Sequence, residues 1–102
     1  ATTLVFKVGG KMYALTNILA DPLSLSLKVT PEEGEQLRAE HAAIVAGYHL
    51  NKRHWITITL DGRVPAQLVE RLLQNSYALV VKGLTKAQRQ ALASQDKSNF
   101  YP

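Results

Sequence analysis

The chain has 102 residues, 46% of them apolar and 20% charged, with twelve Lys and Arg against eight Asp and Glu and a formal net charge of +4. That length provides for one hydrophobic core, because a domain of this size buries roughly 60 to 70% of its unfolded surface, and the composition differs from that of disordered or membrane-spanning chains. The absence of cysteine excludes disulfides, thiolate-zinc sites and thiol nucleophiles. No apolar run approaches the roughly 18 residues of a membrane span, and the opening Ala-Thr-Thr-Leu-Val-Phe lacks the layout of a signal peptide, so a cytoplasmic home is expected.

The chain reads as a single domain over 1–102. Thr3 to Val8 alternates, with Leu4, Phe6 and Val8 on the face to be covered. Gly9-Gly10 can take the positive φ of a tight turn, which predicts an antiparallel hairpin with Lys11 to Asn17. Residues 23 to 29 form a third strand with Leu23, Leu25, Leu27 and Val29 inward and Ser24, Ser26 and Lys28 outward. Thr30-Pro31-Glu32-Glu33 combines a capping hydroxyl, proline at the first helical position and early acidic residues, which predicts a short helix to about Glu40 anchored by Leu37.

Period two returns from Trp55 to Leu60, with Ile56, Ile58 and Leu60 inward and Trp55, Thr57 and Thr59 outward. Beyond Pro65, the pairs Leu68/Val69, Leu72/Leu73 and Leu79/Val80, with Tyr77, mark one face of a long helix that covers the sheet. Lys82 and Gly83 predict its end, with Gly83 in the left-handed conformation and Leu84 making the accompanying apolar contact. Thr85 and Gln88 form a capping box for a last helix to about Ala93, after which the tail from about 94 to 102 is expected to be loosely held. The expected fold is therefore α+β: an antiparallel sheet of about four strands in the order β-β-β-α-β-α-α, with helices packed on one face.

The dense polar cluster is Tyr48-His49-Leu50-Asn51-Lys52-Arg53-His54-Trp55. Lys52 and Arg53 supply charge for phosphate, Asn51 can bond a base edge or a backbone group, and Tyr48, His49, His54 and Trp55 offer rings for stacking. The competing reading is an ordered connection whose Asn and His side chains satisfy the loop's own backbone while Trp55 covers the sheet. Lys7, Lys28, Thr57 and Thr59 are expected to share the outer face with Trp55, a surface broadly like that of sheet-based RNA readers but with one aromatic instead of several. His49 and His54 have zinc-like spacing without a cysteine partner, so no metal is expected. The serines at 24, 26, 76, 94 and 98 sit in no strained nucleophile turn, and none pairs by spacing with His41, His49 or His54. A non-enzymatic protein without cofactor follows.

Val-Phe-Lys-Val-Gly-Gly-Lys-Met-Tyr-Ala-Leu (5 to 15), Ser-Leu-Lys-Val-Thr-Pro-Glu (26 to 32), Gly-Tyr-His-Leu-Asn-Lys-Arg-His-Trp (47 to 55), Leu-Asp-Gly (60 to 62) and Ser-Tyr-Ala-Leu-Val-Val-Lys-Gly-Leu (76 to 84) closely resemble the MmcQ/YjbR family over residues 4 to 92. The resemblance implies a frataxin-like, double-wing α+β fold, bacterial members mostly without assigned roles, and DNA binding inferred from the wing-like shape. It places the family's block on His49, Asn51, Lys52, His54 and Trp55, with Arg53 as a second adjacent cation. Family members usually begin with a helix before the first strand, and this sequence starts almost directly in that strand. Two functions are expected to compete. The first is a DNA-binding module with weak, salt-sensitive contact and low sequence specificity. The second is a small-molecule or protein-interaction domain, such as a stress or drug-sequestering accessory protein, with His49, His54 and Trp55 lining a pocket.

Overall fold

The computed structural model describes residues 3–100, with side chains described for 3–94. The elements run β1 (Thr3–Val8), β2 (Lys11–Asn17), β3 (Ser24–Lys28), α1 (Pro31–Glu40), β4 (Ile44–Ala46), β5 (Trp55–Thr59), α2 (Ala66–Lys82) and α3 (Lys86–Phe100). The strands make one antiparallel sheet in the order β1-β2-β3-β5-β4. The fold class matches the α+β expectation, with five strands in place of about four. β4 is the addition: three residues are too few to show a period, and they become a strand because Ile44, Val45 and Ala46 pair with Ile58, Thr57 and Ile56.

Local signals placed most boundaries. Gly9 and Gly10 take φ of 57° and 79°, turning β1 into β2, and a side chain at Gly9 would press on Leu84, its Cβ lying 2.7 Å from Leu84 Cδ1. Thr30 caps α1 by accepting from the Glu33 amide at 3.2 Å. Thr85 and Gln88 exchange hydrogen bonds of 2.8 and 3.1 Å at the start of α3. That helix runs to Phe100 and not to about Ala93. The expected loose tail lies at 101–102 outside the described residues, and from residue 95 its side chains do too. Gly83 ends α2 with φ −83° and ψ −5°, a right-handed stop and not the expected left-handed one, its N–H being shared among the last carbonyls of the helix.

Leu27, Ile56 and Ile58 are fully buried on one face of the sheet and meet Leu72 of α2 and Leu37 of α1, so both helices cover the same side. Three residues expected inward stay half in solvent at the margins: Leu4 and Phe6 on the edge strand β1, and Leu23 just before β3. Leu60, just after β5, is likewise exposed. The cover of the sheet comes from α2, which crosses β2 and β3 and reaches β1 only in part.

β1 and β2 slip register at Phe6/Lys7, which pair with Ala14 and Met12 and leave Tyr13 as an extra residue. The bulge brings Tyr13 to the helical side, where its ring meets Tyr77 edge-on at 5.1 Å. There, fully buried Ser76 of α2 donates to the Tyr13 carbonyl at 2.6 Å and accepts from the Lys28 amide at 2.9 Å. One hydroxyl thereby relays the hydrogen bond between β2 and β3 where their ladder stops.

Candidate functional site: the open sheet face and the 47–54 loop

The helix-free face of the sheet carries Ser24, Ser26 and Lys28 from β3 opposite Thr59, Thr57 and Trp55 of β5. The outward set read from the sequence is therefore assembled as expected. Ser26 Oγ and Thr57 Oγ1 are bonded at 2.8 Å, and Thr57 Oγ1 also accepts the Tyr48 amide at 3.0 Å. This second bond draws the chain leaving β4 over the open face.

Gly47 makes that path possible. Its N–H bonds the Trp55 carbonyl at 2.8 Å, and a Cβ there would lie 2.7 Å from Trp55 Cβ and 3.1 Å from Leu50 Cβ. The backbone then passes through His49 at φ 59°, a left-handed conformation uncommon outside glycine. The Tyr48 and His49 rings lie 4.0 Å apart, and Tyr48 is 69% exposed.

The rest of the loop is held by its own side chains. Asn51 Oδ1 accepts the amides of Arg53 at 2.9 Å and His54 at 3.2 Å, which winds residues 51–54 into a turn. The Lys52 ammonium donates to the Gly47 carbonyl. Arg38 of α1 donates to the Lys52 carbonyl at 3.2 Å, and the His54 carbonyl accepts the Val29 amide at 2.9 Å. Asn51 thus does what the structural reading of the loop expects, whereas the second such group is Lys52, read from the sequence as a phosphate contact, and not a histidine: among the described residues neither the His49 nor the His54 side chain makes a hydrogen bond to the loop backbone. Arg53 and His54 are exposed, and among the described residues their side chains have no hydrogen-bond partner. Trp55 is half-buried beside Lys28.

Charge is segregated. The eight carboxylates fall at Asp21, Glu32, Glu33, Glu35, Glu40, Asp61, Glu70 and Asp96, on helices or connections, and none lies in a strand or between residues 41 and 54. The strands carry Lys7, Lys11 and Lys28, and the adjoining loop adds Lys52 and Arg53. Among the described residues the ion pair is Arg63 with Asp61 at 2.8 Å, so neither Lys52 nor Arg53 is paired with a carboxylate of α1.

Between the Tyr48–His49–Leu50 wall and the β1–β2 margin lies a trough of about 490 Å³, lined by Thr3, Leu15, Thr16, Asn17, Ser24, Ser26, Val45 and Thr57 as well as that wall. Of the pocket residues expected from the sequence, His49 lines it and His54 and Trp55 do not. Trp55 sits where the strand begins, beyond the span the wall overhangs. The hydroxyl row was visible as outward alternation in two strands; that those strands are neighbours was not. Among the described residues no three His, Asp or Glu side chains gather as a metal would require, and no helix is long and apolar enough to cross a membrane.

A family model described as YjbR matches residues 1–79, which include the whole sheet and the 47–54 loop. The chain belongs to the YjbR family. The uncharacterised protein YjbR of Escherichia coli (strain K12) is 35% identical over 86 residues, covering 84% of this chain and 73% of its own. A crystal structure of a Deinococcus radiodurans protein superposes with a TM-score of 0.86 at 60% identity, covering 90% of this chain and 71% of that one. A Pseudomonas syringae protein gives a TM-score of 0.67 at 33% identity over 76% of each chain. The relatives share the YjbR α+β architecture, and their names assign no activity.

Proposed function

We propose that this YjbR-family chain is a non-catalytic DNA-binding module that holds phosphates against the basic end of its open sheet face. The observation that carries this reading is the charge segregation. Lys28, Lys52 and Arg53 gather at one end of a carboxylate-free face, and Lys52 and Arg53 have no acidic partner among the described residues. Lys7 lies on the same side of the hairpin that forms the neighbouring margin. Clustered cations without direct carboxylate partners draw a polyanion. The site offers no helix aligned to enter a groove, so contact is with backbone more than base edges.

The test is fluorescence anisotropy of labelled DNA across a salt series. Each neutralised phosphate contributes about −0.9 to the slope of log affinity against log salt, so Lys52→Ala/Arg53→Ala flattens it by about 1.8. Arg53→Ala alone is the cleaner variant, because Lys52 also holds the Gly47 carbonyl. No binding at low salt sinks the reading. The trough favours a second one, a small-molecule domain, for which binding is salt-tolerant and independent of Arg53.

A further inference from the structure

We propose that the trough receives an unpaired base of single-stranded DNA while the basic turn beside it holds the neighbouring phosphate. This rests on the DNA-binding reading and adds to it the kind of strand bound and where its base sits.

The trough and its surroundings divide charge as a nucleotide does. No Lys, Arg, Asp or Glu lines it, a lining suited to a neutral occupant. Cations stand just outside. Lys28 follows Ser26 by two residues on the same strand face, a separation of about 7 Å, and the loop that supplies the lining residue Leu50 also carries the exposed Arg53. A planar neutral ring joined to an anionic phosphate meets both halves of this arrangement.

The wall is built for a flat partner. Tyr48 is largely exposed, yet its amide is fixed by Thr57 and its ring rests against His49, so it is a positioned aromatic surface and not a loose one. Polar capacity also remains on the opposite side. The Ser26 and Thr57 hydroxyls are engaged with each other. Among the described residues, the Ser24 hydroxyl and the Asn17 amide nitrogen have no internal hydrogen-bond partner, and both residues line the trough. Hydroxyl and amide groups can read the edge of a base. The volume of about 490 Å³ falls within the roughly 300–1,000 Å³ of small-molecule sites. A base within a duplex is stacked and paired and cannot enter, whereas one in a single strand can.

The experiment compares labelled oligothymidylate with a labelled duplex of the same length, using the full chain and Tyr48→Ala, Tyr48→Phe and Ser24→Leu variants whose thermal melts match the parent. The single strand is expected to bind more tightly than the duplex. Loss of one stacked base weakens binding about 5- to 150-fold, so Tyr48→Ala weakens single-strand binding by that factor and leaves duplex binding unchanged. Tyr48→Phe retains affinity, and Ser24→Leu, which fills the trough from a different element, weakens the single strand as Tyr48→Ala does. Salt-sensitive DNA binding with no preference for the single strand, or indifference to both Tyr48→Ala and Ser24→Leu, overturns this inference while leaving the DNA-binding reading standing. No binding of either DNA at low salt overturns both.

Discussion

Replacing Ser76 with alanine removes a single hydroxyl from the middle of α2, and the two groups it serves lie on different strands. The Tyr13 carbonyl at 2.6 Å and the Lys28 amide at 2.9 Å both lose their partner in a place water does not reach, since Ser76 is fully buried. An unsatisfied buried group costs about 1–3 kcal/mol, and two of them, partly relieved by closure of the strands, give an expected loss of about 2–4 kcal/mol. For a domain of this size each kcal/mol lowers the melting temperature by about 4–8 °C, so Ser76→Ala should melt roughly 8 to 32 °C below the parent. Urea titration should show a lower midpoint at an unchanged slope. Hydrogen exchange adds a local readout, because the Lys28 amide should lose protection before its neighbours in β3. A loss below about 1 kcal/mol with the Lys28 amide still protected would refute the reasoning, since β2 and β3 would then be pairing directly without the relay.

Gly47→Ala places a Cβ 2.7 Å from Trp55 Cβ, and such overpacking should cost about 1–3 kcal/mol. Because the chain has a single tryptophan, the displacement can be followed in its fluorescence alongside the melt, and unchanged values for both would contradict the close approach. Asn51→Ala strips the acceptor from two amides of the 51–54 turn and should destabilise by about 0.5–2 kcal/mol, as loss of a capping side chain does, with Asn51→Asp retaining most of the stability. The Arg63 backbone N–H, and then the Arg63 guanidinium, hold the Asp61 carboxyl below its ordinary range. Its folded value lies below its unfolded one. Its contribution is therefore present above the ordinary carboxylate pKa near about 3.9 and is lost as pH falls through the lowered value. Asp61→Asn should remove that part of the acid dependence in urea melts; parallel acid profiles for parent and variant would count against it.

Much of the fold was legible because its signals are local. Thr30 with Pro31, Gly9 with Gly10, and Thr85 with Gln88 each specify a few backbone dihedrals through bonds within three residues, and these appear where expected. The period-two runs of β3 and β5 likewise place Ser26 and Thr57 on one face and Leu27 and Ile56 on the other. Most of the 47–54 loop was also marked in the sequence, as the polar cluster from Tyr48 to Trp55. Its internal division was not, since nothing in the order of residues separates Asn51 and Lys52, which secure the turn, from Arg53 and His54, which do not.

The sequence by itself determined the local elements, the excess of cations and the composition of the candidate loop, because turns, caps and periods are set by residues near one another in the chain. Tertiary structure decided which outward faces adjoin, why β4 is a strand, why Leu23 and Leu60 remain exposed, and how Tyr48 comes to wall a trough above Thr57. It also decided the role of Ser76, whose partners lie 48 and 63 residues away. Such contacts form only when α2 settles across the sheet, and the geometry of that docking is fixed by the packed core as a whole and not by any segment's own preference.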